Sequence, residues 1–289
     1  VMGKIRCGAM AFANSLPLLD RLPHDPVCRD LEWEWSIKTP AQLNACLAAG
    51  NLDVSMISSW AYAEQFSSLY LIPQVAIASR GFVGSVGFFL SVDYRSLVDL
   101  PTRPRVMLSE MSSTSAVLTR IALEVFYDRS PTYRVEENPI RSVANGEADV
   151  AMMIGDRALI VRKRRMLFSY VDLGELWQQR IGLPMVYGLV AMRRNFFERD
   201  PRIAQQVAGC WQRAVPPPGD PEEGIIESVI RTGDFGMSRS EWMDYYRGLH
   251  FGWSIDTLDG LLAFYRLAQS IGYGEKIPPW WFVPVGENL

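Results

Sequence analysis

Four short polar clusters carry the residue types that can hold a small anion without a metal: Asn14-Ser15, Ser58-Ser59, Ser112-Ser113-Thr114-Ser115 and Gly155-Asp156. Each follows a run that reads as a short strand and precedes one that reads as a helix. Its hydroxyl or amide groups therefore stand beside the unpaired N–H groups of a helix N-terminus. Ser, Thr, Asn and Asp also cap helices wherever they begin. Four such clusters at the carboxyl ends of strands point further, to a cleft for a small carboxylate.

Conventional catalytic sets are scarce. The sequence has no GxSxG elbow, Walker A loop, GxGxxG fingerprint or HExxH helix, which removes the usual warrant for acyl hydrolysis, loop-bound nucleotides and zinc proteolysis. His24 and His250 stand outside the strand-to-helix pattern and read as structural or exposed. Cys7, Cys28, Cys46 and Cys210 show no CxxC or metal spacing and read as reduced thiols, so a His/Cys metal site is not expected. Trp33, Trp35, Trp177, Trp280 and Trp281 read first as core.

The elements that must position the clusters show as a repeat. Ala48-Ala49-Gly50-Asn51-Leu52-Asp53-Val54-Ser55-Met56 and Ala144-Asn145-Gly146-Glu147-Ala148-Asp149-Val150-Ala151-Met152 match at Ala, Gly, Asp, Val and Met at one constant offset. Each is a helix end with a C-terminal Gly, a turn with Asp, and a buried-type strand. Upstream, Arg6-Cys7-Gly8-Ala9-Met10 and Arg105-Val106-Met107-Leu108 are matching strands, and Ser15 and Leu18 match Ser115 and Leu118. Two α/β lobes of like topology follow. Val83 to Ser91 and Met185 to Met192 are the expected hinge strands, giving lobe one over 1–89 plus 193–289 and lobe two over 90–192. After Pro216-Pro217-Pro218-Gly219, and before it from Pro201 to Ala214, the chain reads as helices that pack onto lobe one, with a capping box at Ser238 and Glu241.

The chain has 289 residues, 48% hydrophobic and 21% charged, enough for a sizeable core. A net charge of -3 supplies no field for non-specific nucleic-acid binding. The one basic run, Arg162 to Arg165, reads as a solvated helix end. No stretch reaches the roughly 18 uninterrupted apolar residues of a membrane span. The opening residues lack a secretory leader, so a cytoplasmic location is expected.

In this order and spacing, Asn14-Ser15-Leu16-Pro17-Leu18, Gly50-x-x-Asp53-Val54, Ser58-Ser59, Gly84-Ser85-Val86, Ser112-Ser113-Thr114-Ser115, Ile154-Gly155-Asp156-x-Ala158-Leu159, Asp172-Leu173-Gly174-Glu175-Leu176-Trp177 and Gly182-Leu183-Pro184 resemble the chorismate dehydratases of the futalosine route to menaquinone. The resemblance implies an α/β, two-lobed type 2 periplasmic-binding-protein fold, used by an intracellular enzyme without cofactor. It implies chorismate as the small-molecule substrate, losing water to give 3-[(1-carboxyvinyl)oxy]benzoate. Asn14 and Ser85 match the family's active-site asparagine and hinge serine. Ser15, Ser58, Ser59, Gly84, Val86, Ser112, Thr114, Ser115, Gly155 and Asp156 are the candidate substrate-binding residues. Ser112, Thr114 and Ser115 are expected on one carboxylate, and Ser58 and Ser59 on the other. Arg180, Ile181, Val190 and Ala61 depart from the family's common residues. A non-catalytic solute-binding protein and the sister 1,4-dihydroxy-6-naphthoate synthase are the competing readings; the latter uses a histidine base that neither His24 nor His250 matches.

Overall fold

The computed structural model describes residues 4–10, 12–110, 113–164, 168–219, 221–233 and 235–284. Its strands are β1 (Ile5–Ala9), β2 (Trp33–Ile37), β3 (Val54–Ser58), β4 (Leu69–Ser79), β5 (Val86–Leu90), β6 (Arg105–Ser109), β7 (Thr132–Glu136), β8 (Val150–Ile154), β9 (Ser169–Asp172), β10 (Met185–Arg193) and β11 (Leu249–His250). Between β1 and β4 lie helices α1 (Leu16–Arg21), α2 (Pro26–Arg29), α3 (Pro40–Ala48) and α4 (Ser59–Gln65). Between β6 and β10 lie α5 (Ser113–Arg120), α6 (Pro139–Ala144), α7 (Gly155–Lys163) and α8 (Leu173–Ile181). The rest are α9 (Arg194–Arg199), α10 (Pro201–Arg213), α11 (Glu223–Thr232), α12 (Arg239–Arg247) and α13 (Ile255–Ser270).

The strands form two sheets, ordered β11-β4-β10-β3-β1-β2 and β7-β6-β8-β5-β9. In the first, β2, β1 and β3 are parallel and β10 runs antiparallel beside β3; in the second, β7, β6 and β8 are parallel and β5 runs antiparallel beside β8. The two sheets thus repeat one plan. β3 and β8 are wholly buried, as helices on both faces of a parallel sheet require.

The repeat read in the sequence is one hydrogen-bond pattern built twice. Arg6 donates from its backbone N and Nε to Asp53 Oδ2, from Nη2 to Asp53 Oδ1 at 2.7 Å, and from Nη1 to the Gly50 carbonyl. Arg105 donates in the same way to Asp149 Oδ2, Asp149 Oδ1 at 2.8 Å and the Gly146 carbonyl. Each bidentate pair ties the start of a central strand to the turn that leads into the next. Both strand ends on the opposite edge, where the polar clusters sit, are thereby held in register.

The expected hinge strands need correction. All of β5 pairs within the second sheet and nearly all of β10 pairs within the first, so neither strand is shared. The chain changes sheet in the segments 80–85 and 182–184 that precede them. Each strand enters its sheet as an interior strand, and both of its edges must find partners there. The helix read from Pro201 to Ala214 is α10, Pro201–Arg213, and α12 opens with the Ser238–Glu241 capping box. The C-terminal helices pack on the first sheet, α10 on β4 and α13 on β10, but α13 also meets α5 and Lys163 of α7 pairs with Glu241 of α12 at 2.7 Å. No described helix is long and apolar enough to cross a membrane.

The duplicated clamp predicts duplicated energetics. Asp53 is 1% exposed and Asp149 8%, whereas Arg6 and Arg105 are 36% and 50% exposed, so solvent screens much of each pair. Asp53→Asn and Asp149→Asn should each lower stability by about 2 kcal/mol, chiefly by leaving buried donors poorly paired. Urea unfolding would show this as a lower midpoint with an unchanged slope, and a neutral Asp53→Asn would show that the clamp does not hold the turn.

Candidate functional site

The strand ends and crossing segments bring Asn14, Ser58, Val86, Ser115 and Gly155 around one cavity between the sheets. Met10, Phe12, Pro40, Ile77, Ile154, Tyr187 and Gly188 complete its wall. Its volume of about 40 Å³ is room for a few waters. A larger cavity, about 420 Å³, lies between the first crossing and the C-terminal helices, walled by Arg21, Arg80, Pro217, Tyr246, Phe251 and Trp253 among others. It contains none of the expected site residues, and converging polar groups rather than size mark the site.

The hydroxyl clusters meet each other. Ser58 Oγ lies 2.7 Å from Ser113 Oγ, Ser59 Oγ lies 3.1 Å from Thr114 Oγ1, and the Trp60 N–H donates to Thr114 Oγ1 at 2.8 Å. α4 and α5, which begin at the ends of β3 and β6, therefore face one another in a seam across the two sheets. The two strand ends expected to hold one carboxylate each thus stand in direct hydrogen-bond contact. Ser112 lies outside the described residues.

Each side of the seam is braced. Ser58 caps α4 by accepting from the Ala61 N–H, and Asn44 of α3 both donates to Ser58 Oγ at 3.0 Å and accepts its N–H. Ser59 donates to the Val186 carbonyl, and its own carbonyl accepts from Tyr265 of α13 at 2.7 Å. Neither Asn44 nor Tyr265 is legible in the sequence as a site residue, because the first reads as an interior helix position and the second lies far along the chain.

Asn14 accepts from Ser15 Oγ at 3.1 Å through Oδ1, which leaves its amide N–H pair without a partner among the described residues. Ser15 is fully buried beneath it. Across the cavity, Asp156 accepts the Ala13 N–H at 3.0 Å, so the start of α7 is latched to the end of β1. Burial pushes the Asp156 carboxyl above the ordinary aspartate range, and the Ala13 bond opposes the shift. Gly155 has φ +63°, and a Cβ there would be strained and would press on the Phe12 ring at 3.2 Å, which favours glycine at this point of the inter-sheet contact.

Ser85 does not line the cavity; Val86, the next residue, does. Ser85 is 1% exposed, its carbonyl accepts the Gly155 N–H at 2.7 Å, and its hydroxyl accepts from Tyr245 of α12 at 3.2 Å. Asp172 anchors the segment before it, accepting the N–H groups of Val83 and Gly84 at 3.0 and 2.7 Å. The same carboxylate caps α8 through Gly174 and Glu175 and accepts from Tyr170. Burial pushes its pKa up and these donors oppose the rise.

Arg162 is not the solvated helix end expected of the basic run. Its Nε is buried without a hydrogen-bond partner among the described residues, and its guanidinium lies 5.0 Å from the Phe82 ring centre and 5.8 Å from that of Tyr170. Phe82 sits in the first crossing segment, which is why no local pattern places it over Arg162. Arg165 lies outside the described residues. Of the departures from the resembled family, Arg180, Ile181, Val190 and Ala61 all lie outside the cavity wall. His24 and His250 are exposed. Among the described residues no three of His, Cys, Asp and Glu converge in a way that could hold a metal ion.

A chorismate dehydratase from Thermus thermophilus is 31% identical over 171 residues, 54% of this chain and 60% of the relative. A 1,4-dihydroxy-6-naphthoate synthase from the same organism is 28% identical over 183 residues, 61% of this chain and 58% of the relative. The chain thus matches these curated relatives over about three fifths of their length. A Candida albicans protein described as having the generic periplasmic-binding-protein fold superposes with a TM-score of 0.69 at 11% identity, covering 95% of this chain and 92% of its own. The fold is that of the periplasmic binding proteins. Residues 5–270 match the profile of the menaquinone biosynthesis family, and the chain belongs to that family.

Proposed function

We propose that this chain is a chorismate dehydratase, a hydro-lyase that converts chorismate to 3-[(1-carboxyvinyl)oxy]benzoate and water. The observation that carries the reading is the gathering of neutral hydroxyl and amide groups from three strand ends, Asn14, Ser58 and Ser115, on one inter-sheet cavity, with the hydroxyl seam beside it. The dehydratase named among the relatives and the family match support it. Neither His24 nor His250 lines the inter-sheet cavity, which weighs against the sister synthase, whose resemblance calls for a histidine base.

In this reading the sheets separate to admit the ligand and close over it, with the joints at residues 80–85 and 182–184 dividing the two lobes. The seam hydroxyls of Ser58 and Ser113, and of Ser59 and Thr114, exchange their mutual bonds for one ligand carboxylate, with Ser115 beside them on the cavity wall and aided by the neighbouring backbone N–H groups. Ser15, Gly84, Val86 and Gly155 shape the remainder, and Asp156 orients the departing hydroxyl. Elimination removes the proton on the ring carbon bearing the enol ether and breaks the neighbouring C–O bond. The hydroxyl leaves as water, and the ring becomes aromatic. Asn14, a neutral amide and a poor base, orients the ligand and stabilises developing charge, while a substrate carboxylate takes the proton. Ser85 assists from the crossing segment. The reaction runs in the cytoplasm and needs no cofactor.

Incubation of the purified chain with chorismate and a chelator should yield a product lighter by one water, seen by mass spectrometry and ultraviolet absorbance. Binding without turnover would leave a solute-binding protein instead. Asn14→Ala should lower kcat by roughly a hundredfold while changing binding far less, the pattern of a group acting on the transition state; intact turnover with weakened binding would remove its chemical role.

Asp156 yields a prediction independent of turnover. Its folded carboxyl holds a proton to higher pH than the unfolded one, so the folded chain binds more protons across that interval. Its contribution to stability therefore falls as pH rises from about 3.9 through the raised value and is constant above it. Asp156→Asn should gain stability relative to the native chain over this interval, then keep a constant margin. Urea titrations from acid to neutral pH would reveal it, and a margin that never changes with pH would contradict the buried carboxyl.

A further inference from the structure

We propose that Tyr245, on α12, is a positioning residue for this site: its hydroxyl donates to Ser85 Oγ, so that Ser85 offers its own proton to the bound dicarboxylate. The inference rests on the reaction proposed above and concerns a residue from the C-terminal helices, outside every motif that suggested it.

The geometry leaves the Ser85 hydroxyl few choices. A serine oxygen carries one proton and two lone pairs. One lone pair is occupied by Tyr245, at 3.2 Å, in a place where Ser85 is 1% and Tyr245 6% exposed. Ser85 Oγ makes no other hydrogen bond among the described residues. Its backbone is pinned from both sides, by Asp172 at Val83 and Gly84 and by the Gly155 N–H on its own carbonyl. The Ser85 proton is thus the free part of the group, and a carboxylate is the acceptor it suits best. A proton chain from phenol to serine to carboxylate also polarises each bond in turn.

Tyr245 is itself held in place. Its ring packs against Trp242 and Tyr246 at centre distances of 5.7 and 5.2 Å. Tyr246 donates to the Ala13 carbonyl at 2.9 Å, and Glu241 on the same helix is paired with Lys163 of α7. α12 therefore touches the Asn14 segment, the Ser85 segment and the second sheet's α7 together. Asp156, Arg162 and Asp172 are the charged groups that face Tyr245, and burial pushes its phenol well above the ordinary tyrosine range, so it stays a neutral donor. A helix that packs only for stability has no need of two tyrosine hydroxyls aimed at the two segments where the site residues lie.

A double-mutant cycle tests this. Tyr245→Phe removes one oxygen and keeps the packed ring; Ser85→Ala removes the group it positions. The dissociation constant of 3-[(1-carboxyvinyl)oxy]benzoate and the kcat on chorismate are measured for the native chain, both single variants and the double variant. Tyr245→Phe should weaken binding and lower kcat by up to about tenfold, the size expected for loss of one buried hydrogen bond between neutral groups. Added to Ser85→Ala it should change neither quantity further, because it acts only through Ser85. Effects that multiply in the double variant, or a Tyr245→Phe chain that behaves as native, overturn the proposal. If the native chain binds the product but leaves chorismate unchanged, the reaction falls, and the cycle on the dissociation constant alone upholds or overturns Tyr245. A native chain that binds nothing overturns both.

Discussion

The relation between the two sheets depends on one buried carboxylate. Asp172 is 4% exposed and takes hydrogen bonds from Val83, Gly84, Tyr170, Gly174 and Glu175. The first two lie in the segment by which the chain leaves the first sheet, and the last two open the helix by which it prepares to return. Both joints are therefore referred to the same side chain. A carboxylate so placed is costly unless its oxygens are filled, and five donors fill them. Ser85 follows directly on this anchor, and Gly84, with φ +73°, makes the turn that brings its N–H onto the carboxylate. The position of the hinge serine is thus a consequence of electrostatic satisfaction at Asp172.

The features of this architecture that are legible in the sequence are those built from neighbours along the chain. The turn from Gly50 to Asp53 and its copy from Gly146 to Asp149 are local, and their Arg partners stand at the starts of recognisable strands, so the repeat can be read from residue types and spacing alone. The capping box at Ser238 and Glu241 is legible for the same reason. Sheet membership of β5 and β10 is not, because a strand's own residues say that it is buried and not which of two sheets buries it. Each swaps into the sheet on the other side of its joint, and only the pairing of Val86 with Ile154 and of Met192 with Val54 reveals it.

Of the candidate site, the residue types and places are legible and the partners are not. Ser58, Ser115, Asn14 and Gly155 reach the cavity, as strand-end positions should. Ser59 and Thr114 join the seam behind it, and Ser85 turns toward α12. Asn44, Tyr245, Tyr246 and Tyr265 give no signal, since a tyrosine on an amphipathic helix looks the same whether its hydroxyl meets water or a site residue. Arg162 misleads for a related reason: a guanidinium stacked on Phe82 and one in solvent share the same helical spacing.

The neutrality of the cavity wall has a chemical meaning. An arginine at the seam would bind a carboxylate more strongly, but would also stabilise its ionised form and make it a weaker base. Hydroxyls bind it with less penalty to its basicity, which suits a carboxylate that, in the proposed reaction, must also accept a proton. Opposed cations at the seam would repel one another, whereas Ser58 with Ser113 and Ser59 with Thr114 satisfy one another. In the proposed reading a ligand exchanges hydrogen bonds rather than creating them, so its net gain would come from its charge and from the apolar contacts of Met10, Phe12, Ile77 and Val86 along the same wall. A flat ring carrying carboxylates meets both demands, and an uncharged ring or a small inorganic anion meets only one.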